Sequence, residues 1–359
     1  MPDRMLFLAL MLLCCCSIGA VAQPVMRAHF LPVGQAHATL LEFSCGAALI
    51  DAGAQDAESV ARLLSYLDDF FSRRPDLQRT LDLVLITHNH IDHTRALREI
   101  ADRPASLRIN VRNYVDSGQV SGVGTEDPLW IRANARTGGR DIRVREVTFA
   151  EIAGLPHTTG LTDDAIDPIN CSGVDPVVRV LSGRHRQRPS GWTADAFANK
   201  NNHSIVTRVD FGSASFLFTG DLEAQGIARL LSHYAGSASL LDVDVYQVGH
   251  HGSHNATTLA LLNALSPKIA VIPMGNWDFG KGASTLFHTH AYGHPRKDIL
   301  DLLGSAVTGD RNEAIIVMAA VAGRKFAPYN VRKAIYATGW DGVVTVQAAA
   351  DGSLTVTRH

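Results

Sequence analysis

Short apolar runs alternate along the chain with segments of helical spacing, and the polar residues between them are unevenly placed. Residues 25–33 and 39–43 have the composition of strands, and Ala47-Ala48-Leu49-Ile50 is an apolar run that stops at Asp51-Ala52-Gly53. Over 58–71, Val60, Leu63, Leu64 and Leu67 fall on one side of a helix. Leu81-Asp82-Leu83-Val84-Leu85-Ile86 reads as a buried strand, with a helix predicted over 95–101. The second half repeats this rhythm. Segments 204–209 and 215–218 flank Asp210-Phe211-Gly212 as a hairpin, and a helix follows over 222–231. A strand over 243–248, a helix over 256–265 and a strand over 268–273 come next, and 342–359 predicts a hairpin turning at Asp351-Gly352. Three stretches, 121–140, 156–175 and 182–202, are rich in Gly, Pro, Asp and Arg and read as loops or insertions. None reads as a linker between two cores. The pattern therefore predicts one α/β domain over 23–359, with two β layers and helices outside.

Charge and cysteine usage narrow the function classes. The formal net charge is −2, and a dedicated nucleic-acid binder carries a clear basic excess. No stable nucleic-acid complex is expected, although an enzyme acting on phosphate esters remains open. At the N-terminus, Arg4 precedes an apolar core over 5–16 and the small-x-small signal Ala20-Val21-Ala22. This predicts a secretory signal peptide over 1–22, and a periplasmic or secreted protein with no membrane span after cleavage. Beyond that segment stand two cysteines, Cys45 and Cys171. They either join as a disulfide or remain two buried thiols, because sequence gives no distance between them.

The strand ends carry the chemistry. Asp51, the stretch Thr87-His88-Asn89-His90-Ile91-Asp92-His93, Asp221 and the stretch Gly249-His250-His251-Gly252-Ser253-His254 each follow an apolar strand. Ligands in α/β folds gather at the carboxyl ends of strands, so these groups can converge. Imidazole nitrogen with carboxylate oxygen suits zinc, and also manganese or iron. In a turn after a strand, His88 and His90 can face one metal position while Asp92 and His93 face a second. Asp221 has two oxygens with which to bridge them, and His250 would complete the second position.

His88-Asn89-His90-Ile91-Asp92-His93 matches the HxHxDH signature of the metallo-β-lactamase superfamily. LIDAG at 49–53, FTGD at 218–221 and GHHGS at 249–253 follow in that family's order. More narrowly, the chain resembles the hydrolase domain of ComEC-type competence proteins over most of 29–352. That likeness is carried by 29–43, 201–223, 248–258, 291–303 and the closing hairpin. It implies an αββα metallo-β-lactamase sandwich with two divalent metal ions, zinc or else manganese or iron, between the sheets. It implies His88 and His90 on the first ion, Asp92 and His93 on the second, Asp221 between them and His250 as the last ligand. His251 either takes the place of His250 or hydrogen-bonds substrate. His203 or water supplies the third ligand of the first ion, with His157 as an outside candidate. Asp51 is expected to fix the histidine loop, and His294 to meet a phosphate oxygen or a leaving group. His37 stands where the family usually has an acidic residue.

A two-metal site of this kind supplies a nucleophilic water at neutral pH without a side-chain base. Asp92 is expected to take up a proton, and Asp221, His251 and His294 complete the catalytic set. The resemblance implies a phosphodiester substrate, either nucleic acid or a phosphorylcholine-like ester. The alternatives are hydrolysis of a β-lactam, lactone or thioester, or metal binding without catalysis.

Overall fold

A computed structural model of the protein describes residues 24–284 and 287–359, so the expected signal peptide lies outside the described residues. Along the chain the strands are β1 (Val25–Phe30), β2 (Thr39–Glu42), β3 (Ala47–Ile50), β4 (Thr80–Leu85), β5 (Asn110–Asp116) and β6 (Arg143–Glu146). They continue as β7 (Val177–Ser182), β8 (Val206–Phe211), β9 (Ala214–Phe218), β10 (Val245–Gln247) and β11 (Ile269–Ile272). The last are β12 (Asp310–Ala322), β13 (Lys325–Lys333), β14 (Ile335–Ala337), β15 (Val344–Ala349) and β16 (Leu354–Arg358).

Two mixed sheets face each other. One has the order β16-β15-β1-β2-β3-β4-β5-β6, and the other β14-β11-β10-β9-β8-β7. Phe30 of the first stacks on Phe218 of the second, with ring centroids 6.1 Å apart. β4 shows why some runs lack alternation. Leu83 and Leu85 enter the core between the sheets, whereas Val84 and Ile86 pack into the helix layer. A strand covered on both faces has no polar side. The helix Ala57–Arg73 covers that outer face with Val60, Leu63, Leu67, Phe70 and Phe71. Its start is set by Asp56, whose side chain accepts from the Ser59 backbone N–H. Helices outside two apposed sheets make this an αββα sandwich, the architecture anticipated from the motifs.

The topology aligns the strand ends. β3 and β4 run parallel, as do β9, β10 and β11, so their carboxyl ends open on the same side of their sheets. The stretches read as loops are more ordered than expected. Residues 126–134 form a helix within 121–140, and 182–202 carries the helix Ala194–Ala198 and most of the 3-10 turn Lys200–His203. β12 and β13 form a separate two-stranded sheet. Cys45 and Cys171 are bonded, with Cα atoms 5.4 Å apart across a sequence separation of 126. That overturns the two-thiol alternative.

Candidate metal centre

β4 ends at Leu85, and the turn after it delivers His88, His90, Asp92 and His93. The turn is held by the neighbouring strand end. Asp51, which follows β3, accepts from the Thr87 backbone N–H at 2.7 Å and from Thr87 Oγ1 at 2.8 Å. Its Oδ2 also accepts from His93 Nδ1 at 2.6 Å and from His37 Nδ1 at 2.8 Å. His37 is fully buried and bonds Thr39 Oγ1 through its other nitrogen. The residue that departs from the family pattern is thus a second clamp on Asp51. Gly53 admits no side chain, because a Cβ there would lie 1.7 Å from the Asp92 carbonyl oxygen.

With Nδ1–H of His93 committed to Asp51, Nε2 faces Asp221 Oδ1 at 3.2 Å. Asp221 follows β9 and is the common point of the site. Its Oδ2 lies 3.6 Å from His251 Nε2, 3.7 Å from His250 Nε2 and 3.9 Å from His88 Nε2. His88 Nε2 and His90 Nδ1 are 3.1 Å apart. His251 Nδ1–H donates to the Pro273 carbonyl at 2.7 Å, so its Nε2 is turned toward Asp92 Oδ2 at 3.3 Å. One donor atom each from Asp92, His93, Asp221 and His251 fits within a 4.8 Å cluster. His93 Nε2, Asp221 Oδ1 and His251 Nε2 are buried and have no hydrogen-bond partner. Unpaired nitrogen and oxygen donors aimed at one point are what a divalent cation requires, so the residues present fit a metal.

Electrostatics agree with that fit. Burial alone lowers the His93 pKa, but the Asp221 and Asp51 carboxylates outweigh it and hold the imidazole well above its usual value. Burial likewise opposes protonation of His251, and Asp221 with Asp92 raises it. Burial pushes the Asp221 pKa up, yet the charges of His93, His251 and His250 hold it well below the carboxylate range. His88 is pushed the other way by burial, His93 and His90, and stays neutral. The buried carboxylates of Asp51 and Asp221, with the half-buried Asp92, therefore hold positive charge at this point, and a bound cation would displace the histidine protons.

The geometry bears on two ligand positions whose alternatives the sequence left open. His203 has no free nitrogen. Its Nδ1 accepts from the His185 backbone N–H at 3.1 Å and its Nε2–H donates to the Phe197 carbonyl at 2.7 Å. It pins a turn rather than reaching the donor group. Of the two histidines open for the last ligand, His251 is the one that joins the Asp92, His93 and Asp221 donor group, where consecutive left-handed backbones, φ 49° at His250 and 54° at His251, turn its ring inward. His250 instead lines the cavity, with Nδ1 3.1 Å from Asn255 Oδ1. His157 is exposed and packs on His233, outside the group.

A cavity of about 350 Å³ opens over the donors, with Asp92, Asp221, His250, His251 and His294 in its lining. Gln35 Nε2 donates to His294 Nδ1 at 2.8 Å. Burial, then the charges of His250 and His251, keep the His294 pKa well below its usual value, so the neutral ring carries its proton on Nε2. Gln35, Lys200, Asn201 and Tyr292 also line this space. Gln35, Asn201 and Tyr292 fall within the stretches 29–43, 201–223 and 291–303 that carry the family likeness, but no local signal singled them out, and Lys200 lies outside those stretches.

The sequence matches the metallo-beta-lactamase superfamily over residues 31–275. The chain belongs to that superfamily. Among curated proteins, this superfamily member is 33% identical to ComE operon protein 3 of Bacillus subtilis over 106 residues, which is 30% of the chain and 12% of that protein. It is 35% identical to competence protein ComA of Neisseria gonorrhoeae over 99 residues, 28% of the chain and 12% of that protein. The chain thus matches about an eighth of each relative's length. Among solved structures it is similar to the metallo-beta-lactamase fold protein YhfI from Bacillus subtilis, with 11% identity and a TM-score of 0.45, covering 86% of this chain and 99% of that one.

Proposed function

We propose that this protein is an exported, metal-dependent phosphodiesterase that works with two divalent ions, zinc by preference of its donors. The convergence of five imidazole and carboxylate side chains on Asp221, at the floor of one cavity, carries the reading. His88 Nε2 and His90 Nδ1 would hold one ion; Asp92, His93 and His251 would hold the other, with Asp221 shared. Such ions, when bound, supply electrophilic activation of an ester oxygen and a nucleophilic water at neutral pH. The protein's own residues set the geometry. Asp51 fixes the His93 ring, the Pro273 carbonyl fixes the His251 ring, and neutral His294 offers an Nε2–H to a substrate oxygen. The likeness to a protein named for competence supports a phosphodiester substrate. The Cys45–Cys171 bond supports an oxidising compartment, as export predicts. No helix among the described residues is long and apolar enough to cross a membrane.

The test measures metal content together with turnover of bis-p-nitrophenyl phosphate and nitrocefin. Metal-loaded protein should cleave the phosphodiester, lose turnover with chelator and regain it with zinc. His88→Ala should lose both metal and turnover. Cleavage of nitrocefin alone would overturn the phosphodiester reading, and a fully active His88→Ala would overturn the site.

A further inference from the structure

Three polar atoms of the cavity wall remain unused by the donor group. Lys200 Nζ, Asn201 Oδ1 and Gln35 Oε1 are buried without a hydrogen-bond partner, and all three residues line the cavity that contains Asp92 and Asp221. Gln35 is 2% exposed and Asn201 5%. The amide nitrogens of both are already engaged, with His294 and Glu223, which leaves their oxygens as acceptors. Lys200 is the most unusual of the three. A buried ammonium loses hydration and needs an anion in return. Burial and the Arg184 guanidinium both lower the Lys200 pKa, and no carboxylate offsets them.

The position of this lysine is built. The turn Lys200–His203 is held by Asn199 Oδ1, which accepts from the Asn201 N–H at 3.0 Å. Asn202 donates to the Ala196 carbonyl at 3.0 Å and accepts from the Gly226 N–H at 3.1 Å. Both nitrogens of His203 hold the same turn in place. Over the ammonium lies Gly122, where an added Cβ would sit 2.1 Å from Nζ. Lys200 is thus carried on a fixed turn, and its Nζ, without a hydrogen-bond partner, lines the same cavity as the metal donors.

We propose that Lys200 is the anion-binding residue of this cavity, taking an oxygen of the substrate's phosphate while Asn201 Oδ1 accepts from a hydroxyl or amine of the same molecule. Lysine serves such a site as a point charge on one oxygen. Ile91, Val123, Phe287 and Tyr292 in the same lining would hold the uncharged remainder of the substrate. The identity of the anion as phosphate rests on the proposed phosphodiesterase function, but the binding itself needs no turnover.

The experiment is calorimetric titration of inorganic phosphate, and separately of benzoate, into the metal-loaded full chain. It compares wild type with Lys200→Met, Lys200→Gln and Lys200→Arg, each checked for metal content and melting temperature. Phosphate affinity should fall about 10- to 100-fold in the folded Met and Gln variants, as loss of a charged hydrogen bond predicts. Lys200→Arg should keep most of it, and where turnover is present the loss should fall on KM rather than kcat. Equal phosphate affinity in wild type and the neutral variants overturns the proposal, as does a wild type that binds neither anion. Benzoate binding that depends on Lys200, without phosphate binding, assigns the site to a carboxylate. Lys200-dependent phosphate binding in a protein that cleaves no phosphodiester removes the proposed activity and leaves this site standing.

Discussion

Asp51 shows how much of the centre depends on a residue outside the donor group. It is fully buried in a left-handed backbone, φ 58°, and receives Thr87, His37 and His93 together. Partners of this kind set the tautomer and direction of a ligating imidazole, and their loss costs ~10–100-fold in metal affinity. Asp51→Ala should show that loss in competition with a coloured chelator, and unchanged affinity would remove the orienting role. A second pair of variants separates a donor from a turn-pinning histidine. His251→Ala should lower the bound metal stoichiometry, whereas His203→Ala should retain it and lose stability by ~1–3 kcal/mol, since it strips the His185 N–H and the Phe197 carbonyl of a buried partner. Metal loss in His203→Ala would restore it as a ligand. At this scale the HxHxDH residues and Asp221 were legible because ligand type and spacing are local. Choosing between His250 and His251 was not, because backbone φ and a distant carbonyl at Pro273 make the choice.

At the scale of elements, the strands that end in polar residues stood out, because apolar runs closed by Asp or His are visible in one dimension. The stretches over 121–140 and 182–202 did not read as structure, since their short helices bury few residues and depend on contacts elsewhere. His185 ties the second of these to the body. Its ring stacks on Phe149 at 4.4 Å and meets Trp192 at 5.0 Å. Burial, then His203 and Arg229, bring its pKa from 6.5 to about 4. A lowered histidine pKa means the unfolded chain binds the extra proton first as the solution is acidified. Stability contributed here is complete above pH 6.5 and falls as pH drops toward 4. The slope is at most ~1.4 kcal/mol per pH unit, and partial solvent contact reduces the total to roughly 1–2 kcal/mol. Chemical denaturation across that window should show a smaller loss in His185→Phe than in wild type. Parallel slopes would mean that other groups govern the acid response.

Across the whole molecule, β15 returns to pair with β1, so the two ends of the described chain share one sheet. The Cys45–Cys171 bond ties the β2–β3 turn to the segment before β7. Closing so long a loop restricts the unfolded chain, and the chain-entropy account gives ~4–5 kcal/mol, of which strain usually leaves less. Reductant, or the double variant Cys45→Ala/Cys171→Ala, should lower the melting temperature clearly; identical melts would mean the bond contributes nothing. The sequence alone determined the chemistry: imidazole and carboxylate at successive strand ends, a turn that presents them, and apolar runs that demand a two-layer core. These depend on residues close together in the chain. The tertiary structure alone decided which histidine faces the donors, that His37 and His93 share Asp51, that two cysteines meet, and that Lys200 Nζ lies under Gly122 without a hydrogen-bond partner. Each of those depends on distances between segments far apart in sequence, which local pattern does not encode.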